Sequence, residues 1–312
     1  MGPKLVKALT ISGVIVGGLG IGFGGGFLIG HFAKPKVPDF NIDVNAMEDN
    51  NDGLLDRYNE VKEAGKDPLS EFTISELANI SLQKFSQSSM SRSYGYGVAK
   101  STVNLTIRNA TIRNNDEYLE ESLSKSDPGS IMNIVVAQRD YQHGTNDDSN
   151  IDSYRGNINS DVANPDWNNA EHTTYTVASY EEEFGKTVSR PSVYIISSKT
   201  VLEASTVNKT NDGYSIYMDL HTSNSVARYV KRMMHLSNSE VQSFDYIHLT
   251  FFVDSDFNLK KSTVVESYRA GMGGINAPVT NEISTYYFTG TSATMPEANE
   301  NIDYPREGQE YA

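Results

Sequence analysis

Alternation of apolar and polar residues dominates the chain after about residue 94 and predicts a series of β-strands. In the segment FDYIHLTFFV, residues 244–253, the apolar residues Ile247, Leu249, Phe251 and Val253 recur at every second position. A period of two places such side chains on one face of a strand, so this segment is expected to be half-buried. The same reasoning predicts further strands at 101–112, 131–141, 199–207, 213–220, 259–270 and 282–290.

Two other segments show the spacing of amphipathic helices. The first is SEFTISELANISLQKF, residues 70–85, with Ser70 or Thr73 as its N-cap, and the second is HTSNSVARYVKRMMHL, residues 221–236. Hairpin strands with helices inserted as blocks are typical of an antiparallel α+β domain. We therefore predict a curved, mainly antiparallel sheet with one or two packed helices over residues 91–290.

An uncharged apolar run precedes this domain. Residues 8–32 carry no acidic or basic side chain other than His31. As a helix they would span roughly 35 Å, enough for the hydrocarbon core of a bilayer. We predict a transmembrane anchor at 8–32 with a cytoplasmic tail at 1–7; a cleaved signal peptide is the alternative. The cell membrane is thus the expected location, with the N-terminus cytoplasmic and the bulk outside.

Glycines recur every four residues within this run, at Gly18, Gly22, Gly26 and Gly30. On a helix they would form a smooth ridge through which another helix could associate. Because about half of the positions from 13 to 30 are Gly, such a ladder also arises by chance.

Four further regions complete the domain plan. Residues 33–47 predict a linker and residues 48–90 a short helical stalk. Residues 143–172 form a long polar stretch inside the sheet domain, expected to be functional or mobile. Residues 291–312 predict a disordered acidic tail.

Charge and cysteine content exclude several functions. The chain of 312 residues has 40 acidic and 26 basic residues, and every acidic residue follows position 36. Nucleic-acid binding is not expected, because such a surface repels phosphates. The absence of cysteine removes disulfides, thiolate metal sites and cysteine nucleophiles.

An acidic loop near residue 50 is a candidate calcium site. With Gly53 at the sharp turn of an EF-hand-type loop, oxygen ligands fall at regular positions. The candidate ligands are Glu48, Asn50, Asp52, the carbonyl of Leu54, Asp56 and Glu60. Residues 48–69, including DNNDGLLD and GKDP, resemble a single thrombospondin type 3-like calcium repeat of bacterial surface proteins. The resemblance implies Ca²⁺ as a stabiliser of the stalk; the alternative is an acidic turn before a helix.

Basic side chains follow one face of the second predicted helix. Arg228, Lys231, Arg232 and His235 are spaced at i, i+3, i+4 and i+7, opposite its apolar face. They are a candidate site for an anionic ligand, and the alternative is a solvated helix face.

Catalytic motifs give weak signals. Ser81–Lys84 and Ser122–Lys125 match S-x-x-K without the companion motifs of the enzymes that use it. We assign no catalytic residue and expect a protein that is not an enzyme.

The arrangement of strands and helices over 94–290 resembles, in architecture alone, the half-barrel domains of lipoprotein-carrier-like envelope proteins. This resemblance implies a lipid-binding groove. The sequence therefore predicts a membrane-anchored, extracytoplasmic binding module for a lipid or envelope-polymer ligand. A structural subunit of an envelope complex is the alternative, followed by an envelope hydrolase.

Overall fold

One antiparallel β-sheet of eleven strands organises the described residues. The computed structural model describes residues 43–101, 104–126, 135–146, 148–157, 165–230, 240–272 and 275–304. The helices are α1 Val44–Met47, α2 Leu54–Glu63, α3 Pro68–Glu71, α4 Ile74–Gln87 and α5 Val177–Phe184, and residues 227–230 are also helical. The strands are β1 Met90–Lys100, β2 Leu105–Asn114, β3 Glu117–Ser126, β4 Val135–His143, β5 Asn150–Asn157, β6 Glu171–Thr176, β7 Thr206–Lys209, β8 Gly213–Asp219, β9 Glu240–Asp254, β10 Leu259–Met272 and β11 Ile275–Thr289.

The strand order is β6-β5-β4-β3-β2-β1-β11-β10-β9-β8-β7. The chain starts at the middle of the sheet with β1, runs outward to β6, and restarts at the opposite edge with β7. From there it returns to the middle, where β11 pairs with β1. Because β6 and β7 are consecutive in sequence but lie at opposite edges, residues 177–205 must cross a face of the sheet. We call these residues the crossing segment.

The crossing segment and the helices cover the same face, which we call the inner face. Helix α4 contacts β8 and β10, and α5 contacts β5 and β6. The main core lies between α2, α4 and the inner face of β7–β11. The alternation predicted for β9 is confirmed there, since Ile247, Leu249, Phe251 and Val253 are all buried.

The start of α4 follows from its local sequence. Thr73 is the N-cap: its hydroxyl accepts a hydrogen bond from the Glu76 backbone N–H, and the Glu76 carboxylate accepts one from the Thr73 N–H. This reciprocal capping box satisfies two backbone donors of the first turn. Of the two predicted N-caps, the structure therefore selects Thr73.

The predicted fold class is wrong in how it divides the chain. The predicted α+β plan has a transmembrane helix, a separate helical stalk and then a sheet domain, whereas the described residues form mainly one large antiparallel sheet. Residues 48–90 are not a stalk, because Tyr58 of α2 and Leu77 and Ile80 of α4 are buried in the main core. The apolar stripes of these helices are thus satisfied by the sheet itself.

The membrane-anchor prediction falls outside the described residues. Residues 8–32, with Gly18, Gly22, Gly26 and Gly30, precede residue 43, where the description begins. Among the residues that are described, no helix is both long enough and apolar enough to cross a bilayer.

Residues 291–304 pack on the outer face of the sheet, opposite the inner face, although we predicted a disordered tail at 291–312. Ile302 and Tyr304 are buried, and the Tyr304 hydroxyl donates to the Glu121 carboxylate at 2.6 Å. Arg139 pairs with Glu121, donates to the Ala298 carbonyl at 2.7 Å, and its guanidinium lies 4.4 Å from the Trp167 ring centre. The described part of the tail, 291–304, is therefore held by a buried ion pair.

Two other regions also differ from expectation. The polar stretch 143–172 contains β5, the 3₁₀ turn Trp167–Asn169 and the start of β6. In the predicted strand 199–207, only the last two residues belong to a strand, and Val201 makes a single bridge to Leu220. Polar composition hides β5 because both faces of that strand carry polar residues.

Substituting Arg139 tests the tail contact. Arg139→Leu leaves the Glu121 carboxylate buried without its cationic partner. Burial raises the pKa of Glu121, and Arg139 opposes that rise. We expect a loss of about 3–5 kcal/mol in the free energy of unfolding, measured by urea denaturation. Lys66→Ala, which removes the exposed pair with Glu71, is the control and should cost less than about 1 kcal/mol. Equal losses would contradict the buried role of Arg139.

Candidate functional site: a cavity on the inner face

A cavity of about 160 Å³ lies beneath the crossing segment. Its floor is the inner face of the central strands, and its roof is formed by residues 186–194 together with the end of α4. The topology explains this position, because the crossing segment passes over the middle of the sheet between two edges.

The walls of the cavity differ in chemistry. One wall is mainly apolar and comes from α4 and β9–β11: Leu82, Phe85, Leu249, Phe251, Val264 and Ile283. The other wall is mainly polar and comes from β1–β3 and the crossing segment: Ser91, Ser93, Asn109, Thr111, Arg113, Glu120, Lys186 and Arg190. An amphipathic molecule would find complementary surfaces on both sides.

A buried ion pair closes the polar wall. The Lys186 ammonium donates to both carboxylate oxygens of Glu120, at 2.9 and 2.8 Å, and both side chains are over 90% buried. Lys186 reaches this position because Gly185, in the left-handed conformation, ends α5 immediately before it. Helix α5 is itself fixed by Tyr180 and Phe184, which are fully buried.

A buried carboxylate ties the crossing segment to the sheet. Glu266 of β10 accepts hydrogen bonds from the hydroxyls of Tyr194 and Tyr229, each at 2.7 Å, and from the Asn281 amide at 3.0 Å. Burial raises the pKa of Glu266, and the three hydrogen bonds oppose that rise. Burial and the nearby Glu266 also raise the pKa values of Tyr194 and Tyr229. Because both tyrosines line the cavity, Glu266 positions part of its wall.

One residue of each sequence-predicted site meets beside Arg190, which lines the cavity. The Glu48 carboxylate, a predicted calcium ligand, lies 2.5 Å from the Arg228 guanidinium, a predicted anion-site residue. It also lies 3.5 Å from Arg190. The other three predicted anion-site residues, Lys231, Arg232 and His235, lie outside the described residues.

The remaining calcium candidates stay near the loop but do not converge. The Asn50 side chain accepts a hydrogen bond from the Asp52 N–H at 2.9 Å, and Gly53 adopts a positive φ of 68° before Leu54 begins α2. Asp56 and Glu60 lie along α2 itself. Within the part of the chain that the structure describes, no group of three or more carboxylate or imidazole residues is arranged to hold a metal. Calcium binding stays a prediction of the sequence.

The first S-x-x-K match, Ser81–Lys84, serves a structural role. The Ser81 hydroxyl donates to the Leu77 carbonyl at 3.0 Å within α4. The Lys84 ammonium donates to the Asp256 carbonyl at 2.5 Å. These two side chains are therefore bonded to separate backbone carbonyls.

Sequence reasoning missed the residues that build the cavity. Glu266 occupies the buried register of β10, between Val264 and Tyr268, where a charged residue breaks the apolar alternation. That break is a signal for a partnered carboxylate. Lys186 and Arg190 give no comparable signal, because nothing local shows that residues after α5 cross the sheet.

The raised pKa of Glu266 predicts a specific pH dependence. A carboxyl group whose pKa is raised by folding stabilises the fold below its unfolded pKa, about 4.3, and loses that contribution as pH rises through its folded pKa. Glu266→Gln should therefore gain stability relative to the parent chain as pH increases from 4 to 8, measured by urea denaturation. Glu282→Gln, at an exposed position of β11, is the control. A difference between Glu266→Gln and the parent that does not change with pH would contradict this.

Comparison with known proteins adds no functional assignment. No protein-family model matches the chain, and no curated protein matches it significantly.

Proposed function

We propose that this chain is a binding protein whose ligand enters the cavity beneath the crossing segment. The observation that carries the proposal is the pairing of an apolar wall with a polar wall in one cavity. Small-molecule sites commonly combine mostly apolar lining with a few placed polar groups. The buried anchors at Glu120–Lys186 and at Glu266 would keep such a site preformed.

The volume of the cavity restricts the ligand. Typical sites for drug-sized ligands measure roughly 300–1,000 Å³, whereas an engineered cavity of about 150 Å³ holds one benzene. A cavity of about 160 Å³ thus suits an apolar group of about six carbon atoms. Within the predicted class of lipid or envelope-polymer ligands, this favours a small amphipathic molecule or the end of a longer chain.

The alternative of an assembly subunit has less support. Among the described residues, the large apolar side chains with substantial exposure are Leu69, Leu202 and Phe252, which belong to three separate segments. Stable protein interfaces usually bury a contiguous apolar centre. The predicted location outside a bacterial cell membrane depends on residues 8–32 and stays a prediction.

Filling the cavity tests the proposal. Val264 of β10 lines the cavity, while its neighbour Val265 projects from the opposite face of the strand. We expect 1-hexanol to bind the full-length chain, and Val264→Phe to weaken binding by about tenfold or more, since the added ring occupies part of the site. Isothermal titration calorimetry measures both affinities.

Val265→Phe is the matched control and should bind 1-hexanol as the parent chain does. Absence of hexanol binding by the parent chain would contradict the proposal. Equal loss in both variants, with folding intact by circular dichroism, would also contradict it.

A further inference from the structure

We infer that Arg190 and Arg228 form a carboxylate-binding clamp at the cavity rim, in which the Glu48 side chain holds the place of the head group of an amphipathic carboxylate ligand. This inference deepens the proposed function and rests on it. It assigns the ligand a negatively charged carboxylate at one end and an apolar group at the other, whereas the cavity alone does not specify a charge.

The first observation is the pairing of two cations with one carboxylate. A single oxygen of Glu48 lies 2.5 Å from Arg228 and 3.5 Å from Arg190. Only about 10% of the Arg228 side chain is exposed. Burial and the neighbouring Arg228 lower the pKa of Arg190, and the carboxylates of Glu48 and Glu181 oppose this effect. Guanidinium groups in such a pair recognise carboxylates through charge-assisted hydrogen bonds.

The second observation is continuity with the cavity. Arg190 itself lines the cavity, as do the following residues through Tyr194. On the other side of the clamp, Tyr229 follows Arg228 directly and also lines the cavity. Because Arg190 itself lines the cavity, a carboxylate bound to its guanidinium can direct its apolar part toward the cavity walls.

The third observation is that the Glu48 carboxylate is separable from the contacts that fix its segment. The Asp49 carboxylate accepts hydrogen bonds from the Ser198 N–H at 2.6 Å and from its hydroxyl at 2.7 Å. The Lys199 ammonium donates to the Ala46 carbonyl at 2.6 Å. These contacts hold residues 46–49 against the crossing segment without the Glu48 side chain, which is 38% exposed. A ligand carboxylate could thus displace the Glu48 carboxylate while the backbone stays in place.

The chemical class follows from the two parts of the site. The clamp provides for one carboxylate, and the cavity provides for about six carbons. Hexanoate has both features, 1-hexanol lacks the charge, and acetate lacks the apolar chain. Comparison of these three probes separates the contributions of the clamp and of the cavity.

The test is calorimetric titration of the full-length parent chain, Glu48→Gln and Arg190→Gln with the three probes. We expect Glu48→Gln to bind hexanoate about tenfold more tightly than the parent chain, because the internal competitor is gone. Arg190→Gln should lose the preference for hexanoate over 1-hexanol. Hexanol affinity should stay within about twofold in Glu48→Gln, whose side chain does not line the cavity, and circular dichroism should show that Arg190→Gln is folded. Arg269→Gln, at an exposed position of β10, is the charge-matched control for Arg190→Gln.

Several outcomes would overturn the inference. Unchanged hexanoate affinity in Glu48→Gln, or an unchanged preference in Arg190→Gln, would exclude the clamp. Acetate binding as tight as hexanoate would mean that the arginines hold a free anion and that the cavity does not take part. If 1-hexanol binds normally in each of these cases, the proposed function survives; if no probe binds any variant, the proposed function itself fails.

Discussion

The pairing of the first strand with the last, at the middle of the sheet, is the constraint on which the rest of the structure depends. Because β1 and β11 pair at the middle, strands β1 to β6 run outward to one edge, and β7 has to begin at the opposite edge. Strands are spaced about 4.8 Å apart, so eleven strands separate the two edges by tens of ångströms along the sheet. The connecting residues 177–205 therefore have to lie across a face, and that passage creates both the roof of the cavity and the rim that carries Arg190.

The two halves of the inner face differ in the polarity of their buried side chains. Under β7–β11 the core is apolar and is closed by α2 and α4. Under β3–β5 the same face carries buried polar residues, among them Glu120 and Asp140, and it is closed by α5 and Lys186. Burying charge stabilises a fold only where partners compensate the lost hydration. The polar half thus fixes the position of the crossing segment, because Lys186 pairs with Glu120 and the Tyr180 hydroxyl donates to Asp140 at 2.9 Å.

Sequence patterns could predict the strands whose buried face is apolar. In β9 the alternation from Ile247 to Val253 identifies both the strand and its buried face, and Thr73 with Glu76 identifies the start of α4. The pattern could not give the order of the strands, since alternation shows which face is buried and not which strand is the neighbour. It failed in β5, where both faces carry polar residues, and it predicted no strand at β3, where the charge of Glu121 is compensated by Arg139 inside the fold. It also separated α2 and α4 from the sheet as a stalk, since an apolar stripe does not reveal what covers it.

The candidate site was found only in part: Glu48 and Arg228 came from unrelated motifs, and their contact joins residues that are 180 positions apart in the sequence.

The central claim is that the space between the crossing segment and the sheet is a ligand site. Intermolecular nuclear Overhauser effects between ¹³C-labelled hexanoate and the full-length chain test this claim most directly. The account predicts contacts from the hexanoate methyl group to the side chains of Val264 and Phe251, which line the cavity, and none to Val265 on the opposite face. Contacts confined to Val265 and other outer-face residues, or binding with no contact to the cavity wall, would contradict it.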